Sequence, residues 1–478
     1  MKLSDLAAAR FDPDPDIAGI TPDSRAVRNG FLFAALPGAR SDGAAFIPQA
    51  EQLGAAAILA RPGAVTRLPL VADDEPRRRL SHIAARFYPR QPAVIAGVTG
   101  TNGKTSTAIF AAALWEMLGQ KSGSLGTLGA RGAGFDRPLA HTTPEPVMLH
   151  ETLDAMAGAG VTHLAMEVSS HALAHYRADG VRFCAAAFTN LTQDHLDFHE
   201  NLDAYFAAKL RLFVDLLPIG GTAVINADGA RAGDVAAAAA RRNLKIVMTG
   251  RRGDTIRIRK IMPTPQGLDL DIEAGGRRRL LALPLIGAFQ AENACLAAGL
   301  VIASGFEPDR VLPLLDRLPG VPGRMQFAAS VNGAGIYVDY AHTPDAVATA
   351  LAAIRPHATG RVIAIVGAGG DRDRAKRPLM GEAAAAGADV VIITDDNPRS
   401  EDPAAIRRDI IAGARDATEI GDRATAIIAG VSMLRAGDVL LIAGKGHETG
   451  QIVQGVTHPF CDLSEARRAA AAIEGARP

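Results

Sequence analysis

Across 478 residues, 51 basic side chains balance 51 acidic ones, so no excess of positive charge directs the chain to nucleic acid or to an anionic membrane. Three widely spaced cysteines (Cys184, Cys295 and Cys461), with no CxxC pair, argue against a disulfide framework or a zinc cluster and fit a reducing compartment. The acidic N-terminus lacks the apolar stretch of a signal peptide, and no apolar run approaches the roughly 18 residues of a membrane span, so a cytoplasmic protein without a membrane span is expected.

The length suits about three domains of roughly 150 residues. Residues 1–88 hold short apolar runs such as Gly30–Leu36, and a Pro-rich stretch from Pro89 to Pro92 closes them off. From Ala93 the texture changes. Ala93–Val98, Leu164–Val168, Ala185–Leu191 and Thr222–Asn226 read as buried strands, with helix-like segments between several of them. That alternation predicts an α/β fold with a mostly parallel sheet covered on both faces. The breakers from Leu318 to Gly323 mark a second boundary. Beyond it, Val362–Val366, Val390–Thr394 and Val439–Ala443 are again buried-strand runs, each ending in polar or glycine-rich sequence. Ligands of open α/β sheets bind at such strand ends. The expected domains are 1–88, 89–319 and 320–478. The alanine runs at 236–240 and 383–386 read as ordinary helices, because alanine is the best helix former.

Gly100-Thr101-Asn102-Gly103-Lys104-Thr105-Ser106 follows a strand and opens a helix, the context of a phosphate-binding loop. Its glycines let backbone N–H groups approach phosphate oxygens, and the helix N-terminus adds a favourable dipole. Lys104 would sit on the β- and γ-phosphates, and the Thr105 hydroxyl would reach Mg²⁺. The match is inexact, since Val98 stands where the usual pattern begins with glycine. Glu167, at the end of the Leu164–Val168 run, is a candidate second oxygen ligand, because Mg²⁺ prefers oxygen donors. The segment Thr189–His199 carries two acids and two histidines. Taken alone it also fits a helix N-cap with exposed histidines. If residues 204–213 are helical, Tyr205, Lys209 and Phe213 share one face, which points the Lys209 amine inward and drives it neutral. A lysine whose stem snorkels past the aromatics is the plain alternative.

In this order the chain also carries TTPEP, EVSSHAL, TNLTQDHLDFH, GRMQ, DYAHTPDA, GGDRDRAKRPLMG, DNPRSEDP and GKGHE. With GTNGKTS, these motifs resemble the Mur ligases, most closely the MurE branch, from Asp23 to Glu448. GTNGKT alone also fits folylpolyglutamate synthases; DNPR followed by GKGHE is far more specific. The resemblance implies three domains: a UDP-MurNAc-binding domain, a central ATP-binding P-loop domain, and a Rossmann-like domain that binds the amino acid. It further implies an enzyme that uses ATP to phosphorylate the D-Glu carboxylate of UDP-MurNAc-L-Ala-D-Glu and lets meso-2,6-diaminopimelate displace the phosphate, in peptidoglycan precursor synthesis. An L-lysine-adding relative is the alternative. Thr105 and Glu167 would hold one Mg²⁺, His195 would help hold a second, and Lys209 would carry a CO₂-derived carbamate as a metal ligand. Lys104, Glu167, His195 and Lys209 are thus the implied catalytic set. Asn293, Arg324 and Asp339 match nucleotide contacts. Ser24, Thr142, Thr143, Ser169, His175 and Arg177 match positions that hold the UDP-muramoyl dipeptide, although some relatives carry Gln in place of His175. The partners are these small molecules, and a monomer is expected.

Diaminopimelate differs from L-lysine by a second carboxylate at its far end. A pocket selecting it needs a cation, ideally an arginine that binds the carboxylate through two parallel hydrogen bonds. Asp396-Asn397-Pro398-Arg399 supplies one directly after a strand. Asp396 or Glu448 would take the distal ammonium and Arg372 the other carboxylate, with Gly444 beside them. The plain alternative is an Asn-Pro turn with a solvated arginine.

Overall fold

The computed structural model describes residues 1–38, 42–192, 194, 198–264 and 266–475. The chain divides into two compact units, residues 1–256 with 296–311, and residues 257–295 with 312–478.

The first unit contains two sheets. A small parallel one runs in chain order through Gly19–Thr21, Phe31–Ala34, Ala57–Ala60 and Leu70–Ala72. The helix Pro76–Phe87 starts with proline, whose missing N–H costs nothing at a helix start, and sends Leu80 and Ile83 into the same core as Leu32 and Leu59.

The larger sheet has Val94–Thr99 in its middle, flanked by Ala185–Phe188 on one side and His163–Glu167 on the other, all parallel. Thr222–Asn226 and Lys245–Gly250 extend it one way and Ser122–Gly126 the other, where the hairpin strands Gly129–Gly132 and Phe135–Arg137 close the edge antiparallel. The inner strands are largely apolar, as expected of a sheet covered on both faces, and their polar residues, Thr99, His163 and Glu167, stand at the strand ends. The register pairs Val98 with Glu167 and Thr99 with Phe188, so the residues that follow all three strands emerge together. The Ala185–Leu191 run is shorter as a strand than its sequence predicts. The regular strand ends at Phe188; the Thr189 N–H still donates to the Thr99 carbonyl (3.0 Å), and beyond it the Asn190 carbonyl turns to accept the Thr101 N–H.

The second unit is built on a six-stranded sheet in the order Gln326–Val331, Ala334–Asp339, Val439–Ala443, Val362–Val366, Val390–Ile393, Thr418–Glu419, parallel except at the first pair. Val362, Ala364 and Val366 point into one core, whereas Ile363 and Ile365 point into the opposite one. That alternation is the mark of a doubly wound, Rossmann-like sheet. The two alanine runs lie in the helices Ala232–Arg241 and Lys376–Gly387.

One ion pair ties this sheet's strand ends together. Arg423 and Asp462 are both fully buried and meet through two hydrogen bonds of 2.7 Å. The same guanidinium donates to the carbonyls of Asp395 and Ala443, at the ends of two strands. A buried charge left without its partner costs about 3–5 kcal/mol. Arg423→Met is therefore expected to lower the thermal midpoint by roughly 10 °C, and Arg423→Met/Asp462→Leu to recover much of the loss. Calorimetry checks this; a single variant as stable as the parent would contradict it.

Candidate active site

The phosphate loop is braced from the neighbouring strand's exit. The Thr101 N–H donates to the Asn190 carbonyl (3.0 Å), and the Asn102 N–H donates to Asn190 Oδ1 (2.9 Å). Thr192 N–H in turn donates to Thr101 Oγ1 (3.0 Å). Gly100 adopts φ +143°, and a Cβ there would lie 1.9 Å from Thr189 Oγ1, so only glycine fits. Lys104 opens the helix Lys104–Met117 and donates to the carbonyls of Gly100 (3.1 Å) and Thr101 (2.7 Å). Ser106 is buried in that helix's first turn.

Thr105 Oγ1 donates to Glu167 Oε2 at 2.9 Å, with both residues buried. Glu167 Oε1 accepts the Thr127 N–H at 2.8 Å. A Cβ on Gly126 would lie 2.0 Å from Glu167 Oε1, so the carboxylate occupies the space that glycine leaves. A hydroxyl and a carboxylate side by side at the phosphate loop are oxygen donors of the kind that Mg²⁺ prefers.

Lys209 is 1% exposed on the helix Leu202–Arg211. Its Nζ lies 4.1 Å from the centre of the Tyr205 ring and donates to the Gly100 carbonyl at 2.8 Å. Burial, and then the nearby charge of Lys104, hold its pKa well below that of an ordinary lysine, with Asp194 opposing. Burial also pushes the Tyr205 phenol up to about 12, against a hydrogen bond from its hydroxyl to Thr101 Oγ1. The expected single helical face differs at its end. The helix widens into a π-turn, Leu212–Leu216, through which Phe213 reaches the same core. His195 lies outside the described residues.

Among the remaining candidates of this unit, Thr143 touches Glu167 directly. Thr143 Oγ1 donates to the Glu167 carbonyl (2.9 Å) and accepts the Ser169 N–H (3.1 Å). Thr142 Oγ1 is 3.1 Å from Thr127 Oγ1. Arg177 donates to the Thr143 carbonyl (2.9 Å) and pairs with Glu145 (2.5 Å). His175 is half-buried, 5.2 Å from the Phe198 ring centre, and burial followed by the charges of Arg77 and Arg177 lowers its pKa. Ser24, donating to Gln49, lies in the small-sheet region, where it lines a cleft of about 680 Å³ with Asp23, Arg25, Phe33 and Phe46.

In the second unit, Asn293 is buried and donates to Gln290 (3.0 Å). Asp339 accepts the N–H groups of Met325 (2.7 Å) and Ala341 (2.8 Å). Burial pushes its pKa up, against the charge of Arg324 and these two hydrogen bonds. The Arg324 guanidinium stacks 4.8 Å over the Tyr340 ring. Asp396, Asn397 and Pro398 are buried, and Arg399 is half-buried at φ +54°. Arg399 Nη1 donates to the Gly370 carbonyl (2.7 Å). Asn397 Nδ2 donates to Glu448 Oε2 (2.8 Å), and Gly444 is buried with φ +118°. Arg372 is exposed on the neighbouring loop.

Several residues escaped the sequence reading. Thr127 holds Glu167, and Asn190 holds the phosphate loop. Lys445 is fully buried among Asp396, Asn397 and Glu448. Asn190 and Lys445 lie inside motifs the sequence shows plainly, but their partners become neighbours only through parallel pairing of distant strands.

Models of three domains match the chain: the Mur ligase family catalytic domain at residues 16–88, the Mur ligase middle domain at 98–301, and the Mur ligase glutamate ligase domain at 323–446. A UDP-N-acetylmuramoyl-L-alanyl-D-glutamate–2,6-diaminopimelate ligase of Caulobacter vibrioides is 50% identical over 99% of this chain and 99% of its own. The enzyme of the same name from Bradyrhizobium diazoefficiens is 50% identical over 97% of each. A solved structure bearing that name superposes with a TM-score of 0.76 at 33% identity, over 99% of each chain. A MurF ligase from Thermotoga maritima in complex with ADP shares the fold, with a TM-score of 0.60 at 18% identity over 98% of each chain.

The loop that carries Arg399 is held by Glu401, which accepts from Arg377 (2.8 Å) and from the Asp371 N–H (2.6 Å). These bonds lower its pKa from 4.5 to about 2. Because the folded value lies below the unfolded one, ionised Glu401 favours the folded state above about pH 4.5, and this contribution fades as pH falls through 2. Glu401→Gln is expected to be less stable than the parent at pH 7, by a margin that narrows below about pH 4.5. Urea denaturation across this range tests the point; a margin independent of pH would refute it.

Proposed function

The chain belongs to the Mur ligase family, and we propose that it is the ATP-dependent ligase that joins meso-2,6-diaminopimelate to the D-Glu of UDP-MurNAc-L-Ala-D-Glu in peptidoglycan precursor synthesis. The observation that carries this reading is 50% identity, from end to end, to ligases of that name. We assign residues 1–88 to the UDP-sugar, 89–319 to ATP and 320–478 to the incoming amino acid. The enzyme is proposed to be monomeric and cytoplasmic; among the described residues no helix is long and apolar enough to cross a membrane.

A carboxylate resists attack by an amine, because its charge repels electron pairs and it offers no leaving group. Transfer of the γ-phosphoryl group from ATP to the D-Glu carboxylate gives an acyl phosphate and ADP. The diaminopimelate amine then adds to the acyl carbon, inorganic phosphate leaves with the C–O bond electrons, and the amine loses a proton. Lys104 offsets charge on the phosphoryl oxygens as they redistribute. Residues Gly100–Ser106 hold the triphosphate at the helix N-terminus, through backbone N–H groups other than those of Thr101 and Asn102, which already donate to Asn190. Asn293, Arg324 and Asp339 contact the nucleotide, and Ser24, Thr142, Thr143, Ser169, His175 and Arg177 hold the UDP-muramoyl dipeptide.

Thr105, Glu167, His195 and a carbamate on Lys209 would hold two Mg²⁺ ions, whose charge supplies further electrostatic stabilisation of the transferring phosphate. The carbamate forms when the neutral Lys209 amine attacks CO₂ and releases a proton. A buried amine kept neutral is the nucleophile that this step needs, and the product replaces an uncomfortable cation with an anionic oxygen donor.

The Asp396–Arg399 loop sets the choice of amino acid. Arg399 takes the distal carboxylate, Asp396 and Glu448 the distal ammonium, and Arg372 the proximal carboxylate. L-lysine would leave Arg399 without its anion, at a cost of several kcal/mol. Phosphate release is expected only when ATP, UDP-MurNAc-L-Ala-D-Glu and an amino acid are present together. meso-Diaminopimelate should be preferred over L-lysine by at least about a thousandfold in kcat/KM. Equal use of L-lysine, or phosphate release with a folate substrate and glutamate, would overturn the assignment.

A further inference from the structure

Lys445 has no part in the chemistry described so far, yet it is one of the largest fully buried side chains of the described residues. It follows the strand Val439–Ala443, whereas Asp396 and Asn397 follow Val390–Ile393, and Val362–Val366 separates the two strands. Its ammonium spans that gap. Nζ donates to Asn397 Oδ1 (3.0 Å), Asp396 Oδ1 (3.3 Å) and Glu448 Oε2 (3.3 Å). An ammonium has three N–H donors, and here each has an acceptor.

Two consequences follow for the pocket. First, Asn397 is fixed in orientation. Its Oδ1 accepts from Lys445 and from the Ile452 N–H (2.9 Å), and its Nδ2 donates to Glu448. Second, Lys445 tunes the charge. Asp396 and Glu448 together bring two negative charges, but the distal end of diaminopimelate offers one ammonium. The buried lysine offsets one of the two, leaving a cluster of net charge −1 for a group of charge +1. The Arg423–Asp462 pair that braces the Asp395 and Ala443 carbonyls is neutral in itself and leaves this balance unchanged.

We infer that Lys445 is a positioning residue, which locks Asp396, Asn397 and Glu448 into one preorganised cluster and sets its charge to match a single distal ammonium. The inference rests on the reading that this pocket takes diaminopimelate. Lys445 acts through its neighbours and does not itself contact the amino acid.

The test is steady-state kinetics of the full chain with Lys445→Met, which keeps the length of the side chain and removes its charge. The expected result is a rise in KM for meso-diaminopimelate of about 30-fold or more, since a buried charge pair has lost one partner. KM for ATP, KM for UDP-MurNAc-L-Ala-D-Glu and kcat at saturation should stay within about threefold of the parent. Lys445→Gln, which keeps a donor without the charge, repeats the measurement should the methionine variant be recovered unfolded, and the same selective rise is expected. A KM for diaminopimelate within about threefold of the parent overturns the inference. So does a fall in kcat with every KM unchanged, or a parallel rise in all three KM values, because either reports general damage. A parent enzyme that ligates another amino acid and not diaminopimelate would instead refute the proposed substrate, independently of the variants.

Discussion

The arrangement at the phosphate loop depends on one costly burial, that of the Lys209 amine. An ammonium in a nearly dry site, with Lys104 close by, is disfavoured both by desolvation and by like charge. Burial therefore leaves a neutral amine directly under the loop. Tyr205 shapes the site by stacking its ring on the amine and donating its hydroxyl to Thr101. The Gly100 carbonyl, held in a conformation open only to glycine, accepts hydrogen bonds from both lysines.

The rest of the site follows from parallel strands ending together. Val98 pairs with Glu167 and Thr99 with Phe188. The phosphate loop, Glu167 and the Thr189–Thr192 brace therefore leave one edge of one sheet. In the second unit, Asp339, Asp396 and Gly444 likewise follow strands of a single parallel sheet, with Arg423 and Asp462 pinning two of its exits. Both units place polar loops on rigid strands, which is how a site keeps tolerances below an ångström.

Much of this was legible because it is periodic. Runs such as Thr222–Asn226 and Val362–Val366 are buried on both faces, so polar residues such as Thr222 and Asn226 stand only at their two ends, and the sequence marks their limits. The inward placement of Lys209 was legible from its spacing to Tyr205. The π-turn that carries Phe213 was not, since an α-helical count assumes that the helix stays α. Asn190 and Lys445 were hidden for a different reason. Asn190's partners Thr101 and Asn102, and Lys445's partners Asp396 and Asn397, lie 48–89 residues away in sequence, and only the pairing of strands brings them within hydrogen-bond reach. The Ala185–Leu191 run is longer in sequence than as a strand because an apolar stretch does not reveal where the chain leaves the sheet to brace a loop, as Asn190 does with its carbonyl.

Carbon-13 NMR of the active enzyme equilibrated with ¹³C-labelled bicarbonate addresses the central claim most directly. The account predicts a single carbamate resonance that is lost in Lys209→Met together with ligase activity. It also predicts that the signal weakens as pH falls, because protonation of the amine competes with capture of CO₂. A fully active enzyme without that resonance, or with an unmodified Lys209 by intact mass, would contradict it.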